Sequence, residues 1–462
     1  MVAGLIAIAS MATGIVRQWA RTSVFDPFAP YCFPLLYIAF SSLYPAWLIL
    51  HDNDALMGFP LASYGTRTGG LVAVSVIGVA IGVHLSGGTT SHVCDTHRGE
   101  SPAGTRSVAR LLRLAGRALA ALLVVVGVAN AALSGPQARA LNQTTYQVSD
   151  SVNAGAVILT LPAVLLILVA RQHLSRTRAS SIVDWALIGA LITGSSLNGG
   201  RGIAIAAMLC MVFYFTRKKQ SLGRTVAPFI AIAVFALAVL AYRQWAMRAE
   251  DSHSPLHAVA TDLSPVSYTL GTVSGKVPSE VSYQFGRTYV DALIHMVPSF
   301  VSGPIMGLSD HSGSAVFRNQ VLHMTDPNSG YGFSVPAEAY LNFGVVGVLL
   351  AALGIGWLVG WAYSSRTWPS LKTTSFMYVC LVAALPYTYR SDALGAVKGT
   401  LYPIVLLALS LLVARRIAAS RQPAWLLRIT GSRLDAFQDT TTETTRGLDP
   451  RQDEQSQRDL GR

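Results

Sequence analysis

Charge is what this sequence has least of. Only 13% of its residues are Asp, Glu, Lys or Arg, against 52% hydrophobic. A soluble globular domain carries about 25% charged residues, so a soluble fold is excluded. Cysteine is also scarce. Cys32, Cys94, Cys210 and Cys380 are scattered with no CxxC pair, which rules out a disulfide framework. His92, Cys94 and His97 are spaced like loose metal ligands but sit in a basic loop with no fourth ligand nearby, so no metal site is expected. GxSxG, HExxH, a Walker loop and a dinucleotide fingerprint are all missing, and with them any support for nucleotide-driven chemistry or a bound cofactor. The first apolar segment lacks a basic leader and a small-residue cleavage site, so it reads as a retained span.

What the sequence does have is a series of span-length apolar runs. They lie near 2–16, 31–50, 69–85, 115–134, 152–170, 182–198, 202–215, 225–242, 335–363, 373–388 and 396–414. In lipid a helix satisfies its own backbone, and the short alternating strands of a barrel are not seen. The expected fold is therefore an all-α polytopic membrane protein with about eleven (ten to twelve) transmembrane helices and one large extracytoplasmic loop. Residues 1–431 form the membrane domain; 432–462, rich in Thr, Gln, Asp and Arg, read as a disordered tail. The net charge of +12 raises the question of nucleic acid, but its distribution answers it. Of 35 Lys and Arg residues, 25 fall in alternate inter-span segments (17–30, 86–117, 171–181, 216–224, 364–372) and the tail from 415. Such a bias sets topology, so no nucleic-acid partner is expected. It places those segments and the carboxyl tail in the cytoplasm and the 92-residue stretch Arg243–Ser334 outside.

Several outward-facing groups have the chemistry of a site. Ser195-Ser-Leu-Asn198-Gly-Gly-Arg201-Gly202 joins two apolar segments whose legs are short for a bilayer, which sets Arg201 slightly below the surface. Arginine there is costly unless paired; it either grips an anion, with the glycines admitting backbone N–H groups, or snorkels to headgroups. Arg243 and Arg390 stand at span ends, at headgroup depth, as phosphate contacts or interface anchors. Within the large loop, Arg287, Asp291 and His295 fall at i, i+4 and i+8 of a helix ended by Pro298. Val290, Leu293, Ile294 and Val297 form its other side, an arrangement for lying along the membrane surface with the charged edge up or inward. Glu338 opens the long apolar helix after this loop, with Tyr340 nearby and Asn342 one turn on. A carboxylate there gains from the helix dipole as a cap, or serves as a base toward a sugar hydroxyl. His295 is the second acid–base candidate. His51-Asp-Asn-Asp54 offers two carboxylates in an early outer loop, the pattern of metal-dependent membrane glycosyltransferases, but without a further ligand. The glycines Gly344, Gly347, Gly354, Gly356 and Gly360 are expected to let helices pack closely.

Two segments resemble the O-antigen and oligosaccharide repeat-unit (Wzy-type) membrane polymerases. They are Gly194-Ser-Ser-Leu-Asn-Gly-Gly-Arg201-Gly202, and Gly332-Phe-Ser-Val-Pro-Ala-Glu338-Ala-Tyr-Leu-Asn342-Phe-Gly344-Val-Val-Gly347 after a long outer loop. The resemblance spans roughly 180–390. It implies a bacterial plasma-membrane glycosyltransferase of the metal-independent, lipid-donor type. Its substrate is an undecaprenyl-diphosphate-linked oligosaccharide, and a flippase and a chain-length regulator are its implied partners, alongside membrane lipids. By motif, Arg201 and Glu338 carry over as catalytic residues, with His295 held as a second acid–base candidate; Arg287 carries over by position. Arg287, Arg243, Arg390, Asn342, Tyr340 and Asn198 are assigned to substrate. An O-antigen ligase-like transferase shares the same loop and arginines. A sugar transporter is the alternative of a different class, and spans nearly free of mid-span ionisable groups count against it.

Overall fold

The computed structural model describes residues 61–87, 103–133, 147–174, 178–197, 201–216, 267–296, 312–324, 333–364, 377–383 and 391–420. Short pieces at 29–32, 55–56 and 59–60 and isolated residues within 9–16 and at 234 and 238 are also described. The expected helices near 2–16, 31–50 and 225–242 lie outside these, apart from such isolated residues, as does the tail 432–462. Apart from a two-residue antiparallel pairing of Ala55–Leu56 with Phe59–Pro60, the regular elements are helical. They are α1 (Leu61–Leu85), α2 (Ala103–Leu133), α3 (Gln147–His173), α4 (Arg178–Leu197), α5 (Arg201–Thr216), α6 (Arg287–His295), α7 (Val335–Ser364) and α8 (Ala393–Ser420). Unlabelled helical stretches occupy 267–276, 313–321 and 377–383. Among the described residues four helices, over Gly65–Leu85, Thr105–Ala129, Val335–Ser364 and Ala393–Ser420, are long and apolar enough to cross a membrane.

Two starts differ most from expectation, and in both the added turns carry arginines with polar partners. Helix α1 begins at Leu61, eight residues before the apolar run, because Arg67 in its second turn has a partner, Tyr340. Helix α2 begins at Ala103, so 103–117 is helix rather than loop. Arg106, Arg110, Arg113 and Arg117 fall on one stripe, and Val108, Ala109 and Leu112 are buried on the other.

Helices α1 and α7 run parallel and touch through glycines. A Cβ on Gly82 would lie 2.1 Å from the Leu353 carbonyl, one on Gly356 2.2 Å from that of Val79, and one on Gly360 2.0 Å from Ser86 Oγ. Small residues allow this approach, as expected for Gly356 and Gly360. Gly354 has open space around it.

Gly344 and Gly347 do something else. At Phe343 (φ −137°, ψ 15°) and Gly344 (φ 63°, ψ −146°) the helix is broken. Beyond the break a Cβ on Gly347 would sit 2.2 Å from the Ala339 carbonyl. The break separates residues 335–342 from 345–364, and the second part, at 1.5 Å per residue, spans about 30 Å, one hydrocarbon thickness.

Two large apolar cores result among the described residues, with a small third cluster of Val79, Val83 and Ala352 between α1 and α7. One gathers Leu71, Val72 and Val76 of α1, the start of α7 from Ala337 to Val348, and Tyr268, Leu270, Val273, Phe317, Val321 and Phe333 of the large loop. The described parts of the loop, 267–296 and 312–324, thus pack over one end of the bundle, tied by Lys276 Nζ to the Val321 carbonyl (2.9 Å) and by Thr269 to Ser334 (3.0 Å between hydroxyls). The other core joins α2–α5 to the far end of α7 (Val359, Ala362, Tyr363) and the second half of α8 (Leu407 to Ala418). Its centre is α3, whose residues Ala163–Ala170 are buried all round.

Candidate active site

Breaking α7 at Phe343 strips two carbonyls of their helical donors. Leu341 and Asn342 would otherwise bond the amides of Val345 and Val346. The large loop supplies replacements: Gln284 N–H donates to the Leu341 carbonyl (3.0 Å) and Phe285 N–H to that of Asn342 (3.3 Å). To do so the loop turns through Phe285 (φ 45°) and Gly286 (φ 88°). Phe285 in that region is strained, a state that persists only where its surroundings hold it. Gly286 N–H then donates to Asn342 Oδ1 (2.8 Å), and α6 begins at the next residue. Kink and turn are two halves of one joint.

Side chains complete it. Asn342 Nδ2 donates to Thr288 Oγ1 (2.7 Å) and to the Glu338 carbonyl one turn back (2.8 Å). Thr288 Oγ1 donates to Glu338 Oε1 (2.6 Å), and Ala393 N–H, the first amide of α8, donates to Oε2 (2.5 Å). Gly313 lies so close that a Cβ there would be 2.6 Å from Glu338 Cδ. Beside it, Ser314 Oγ donates to Asp392 Oδ2 (2.7 Å), and Asp392 Oδ1 accepts from Gly395 N–H (2.9 Å), capping α8. Glu338, Thr288 and Asn342 are fully buried. One carboxyl thus ties α7, α6, the 313–316 turn and α8 together, with hydroxyl and amide donors on both its oxygens.

A second layer faces outward. Arg67 Nη2 donates to Tyr340 Oη (2.6 Å), with the guanidinium 5.7 Å from the ring centroid. Tyr340 is buried and Arg67 exposed. Tyr283 packs against Tyr340 (6.4 Å), and Tyr289 stacks on the exposed ring of Phe343 (6.4 Å, 24°). Burial, then the Glu338 carboxyl beside it, push the Tyr289 hydroxyl above its ordinary range, so it stays a neutral phenol.

Of the residues singled out from sequence, the structure brings Glu338, Tyr340 and Asn342 into this cluster. Arg287 is exposed, next to Thr288 in the chain. His295 ends α6, its Nε2 3.6 Å from Asp291 Oδ1, longer than a hydrogen bond. Helix α6 buries Thr288, Asp291 and Ala292 and exposes Val290 and Leu293; of its expected polar edge only Asp291 turns inward, while Arg287 is exposed and His295 half-buried. Its far end is strapped by Tyr402 Oη donating to the Met296 carbonyl (2.5 Å). Arg201 opens α5, but its side chain, like Asn198, Arg243, Arg390, Asp52, Asp54 and the His92–His97 group, lies outside the described residues. Sequence reasoning left Thr288, Gly313, Ser314, Asp392 and Tyr283 without a role. Asp392 alone had a signal, a capping residue just before an apolar helix.

A family model described as O-antigen polysaccharide polymerase Wzy matches residues 151–420, more than half of the 462-residue chain. The chain belongs to that family. No curated protein and no solved structure matches it. This O-antigen polymerase is a membrane-embedded protein of polysaccharide biosynthesis, and its family acts on lipid-linked oligosaccharide repeat units. The matched range includes the whole Glu338–Thr288–Asn342–Asp392 joint. Arg67 lies upstream of it.

Proposed function

We propose that this polymerase lengthens a lipid-linked glycan at the end of the bundle where α1, α7, α8 and the large loop meet. The growing chain leaves undecaprenyl diphosphate and joins a sugar hydroxyl of a newly arrived lipid-linked repeat unit. The C–O bond to the diphosphate breaks, a C–O bond to the acceptor forms, the hydroxyl proton passes to a base, and the diphosphate leaves with the bonding pair. In this scheme the protein occupies the bacterial plasma membrane with the loop outside. Guanidinium groups, not a metal ion, hold the leaving group. Arg287 and Arg201 fill that role, with Arg67 added, and Arg243 and Arg390 take the flanking charge. Fixed donors aimed at developing charge are worth about a hundred- to a thousandfold each in rate.

The observation that carries this reading is the joint itself. The Glu338–Asn342 segment holds the amino end of α6, and with it Arg287, while Tyr340 of the same segment accepts from Arg67 of α1. Glu338, with both oxygens bonded and no exposure, is assigned to positioning the loop; to act as base it must exchange the Thr288 or Ala393 bond for the acceptor. His295, its side chain 29% exposed beside the Asp291 carboxyl, is the acid–base nominee. Asn342, fully buried, holds the loop in place, and Tyr340 and Asn198 shape the walls around the sugars.

The test is extension of a defined undecaprenyl-diphosphate oligosaccharide by the purified protein in liposomes, read by mass. Products at integer multiples of the repeat, still on the carrier, are expected. Transfer only to a different acceptor would mark a ligase, and passage across the bilayer without extension a transporter.

A further inference from the structure

At the far end of the bundle, three arginines converge on one aspartate. Asp184, in the second turn of α4, is fully buried. Arg113 Nε lies 3.2 and 3.1 Å from its two oxygens, and Arg113 Nη2 bonds Oδ2 as well. Arg117 Nε donates to Oδ1 (2.8 Å) and Arg171 Nη1 to Oδ2 (2.9 Å). The remaining guanidinium bonds go to the Ser180 and Ser181 carbonyls and hydroxyls. Helices α2, α3 and α4 are thereby locked at one point.

One carboxylate neutralises one guanidinium, so among the described residues the cluster keeps a surplus of two positive charges. Arg171 is 2% exposed, lies 4.6 Å over the Trp185 ring, and its buried Nε has no hydrogen-bond partner among the described residues. Exposure then rises to 12% at Arg113 and 28% at Arg117, so the surplus opens outward along α2. Uncompensated buried charge is costly, and an outside anion would offset it. The depth fits a lipid-borne one. Six residues separate Arg178, the first of α4, from Asp184, about 9 Å along the axis, near the headgroup–hydrocarbon boundary. The face is the one opposite the Glu338 joint, because Leu112 and Ile188 share a core with Val359 and Tyr363, at the other end of α7.

We propose that Arg113, Arg117 and Arg171, held in place by Asp184, form a binding site for a phosphate-bearing anion at that membrane face. Asp184 fixes the fork of each guanidinium, and the open Arg117 edge admits the ligand. Basic pockets between spans are suited to anionic headgroups, and planar guanidiniums match phosphate oxygens in pairs.

The test uses the full-length protein with bound lipid read by native mass spectrometry and by the thermal midpoint. The probes are phosphatidylglycerol and phosphatidylcholine, added separately. Retention of phosphatidylglycerol at least tenfold above phosphatidylcholine is expected, falling tenfold in Arg117→Gln, which leaves two arginines on Asp184. Arg110→Gln, an exposed arginine on the same stripe that makes no contact with Asp184, should change retention less than twofold. Displacement by millimolar inorganic phosphate would assign the site to a soluble phosphate, and failure to displace would assign it to the headgroup. Equal retention of the two lipids overturns the proposal, as does an Arg117→Gln protein that keeps its preference or an equal loss in Arg110→Gln. A midpoint that falls in Arg117→Gln without any lipid dependence shows a cluster that only braces the helices, and overturns it too.

Discussion

Two carboxyl groups, Glu338 and Asp184, are fully buried at opposite ends of this bundle, and they are satisfied by different means. Asp184 holds three guanidiniums; Glu338 holds a threonine hydroxyl and a backbone amide. An ion cluster resists rearrangement, since loss of its single anion would leave three cations facing one another. Neutral donors bind more weakly and exchange more readily. The Asp184 end is therefore built to keep its helices fixed, and the Glu338 end to be held without being frozen. Asp184→Ala should expose that difference most strongly. Removing one member of a buried charged group costs about 3–5 kcal/mol, so the variant should lose its monodisperse peak in detergent or unfold at markedly lower temperature. A native midpoint would mean that the cluster contributes nothing to the bundle.

The Glu338 end should break more gently, and in a way that reports its role. Glu338→Gln keeps one acceptor oxygen and leaves one buried partner unmet, at about 1–3 kcal/mol. Gly313→Ala leaves the carboxyl intact but drives a Cβ to within 2.6 Å of Glu338 Cδ, prising the 313–316 turn from α7. If Glu338 positions the loop, both variants should slow polymerisation together and open the 267–324 region to limited proteolysis. Glu338→Gln with abolished turnover and unaltered proteolysis would instead return the carboxyl to the chemistry. Gly344→Ala tests the same joint from the backbone side. An L-residue at φ 63°, ψ −146° costs about 1–3 kcal/mol. Relief by straightening α7 would recapture the Leu341 and Asn342 carbonyls and release Gln284 and Phe285. Loop cleavage with retained bundle stability is the expected pattern; a simple drop in stability would show that the kink serves packing alone.

The sequence was a good guide to one of these ends and a poor one to the other. Apolar runs located α3, α4, α5, α7 and α8 nearly to their ends, because lipid and core both select hydrophobic length. The signature segment around Glu338 drew notice because a carboxylate opening an apolar helix is rare enough to stand out. Its partners did not. Thr288, Gly313 and Ala393 reach Glu338 across 50, 25 and 55 residues of chain, and none carries a local pattern that points there. Gly344 and Gly347 read as helix-packing residues because spacing alone cannot tell a glycine that admits a neighbouring helix from one that breaks its own. At the Asp184 end the arginines were counted as a loop bias. Only the continuation of α2 back to Ala103 turns that charge into a stripe facing one aspartate.

Arg67 offers the finest version of the comparison, an arginine whose fixed partner is a neutral phenol. Among the described residues no carboxylate pairs with it, where Arg113 and Arg171 share an anion, and Tyr340 fixes its direction. Tyr340→Phe deletes that anchor while preserving the ring beneath the guanidinium. The loss of one such bond, about 0.5–1.5 kcal/mol, corresponds to a two- to tenfold rise in KM for the lipid diphosphate donor, with kcat little changed. Arg67→Lys should behave at least as badly despite keeping the charge, because an ammonium cannot present two parallel N–H groups to a phosphate. If KM is unmoved in Tyr340→Phe but rises in Arg67→Lys, Arg67 meets the donor without help from Tyr340. If neither moves, the diphosphate is held by the arginines of the loop and of α5, and the contact between α1 and α7 is a structural one.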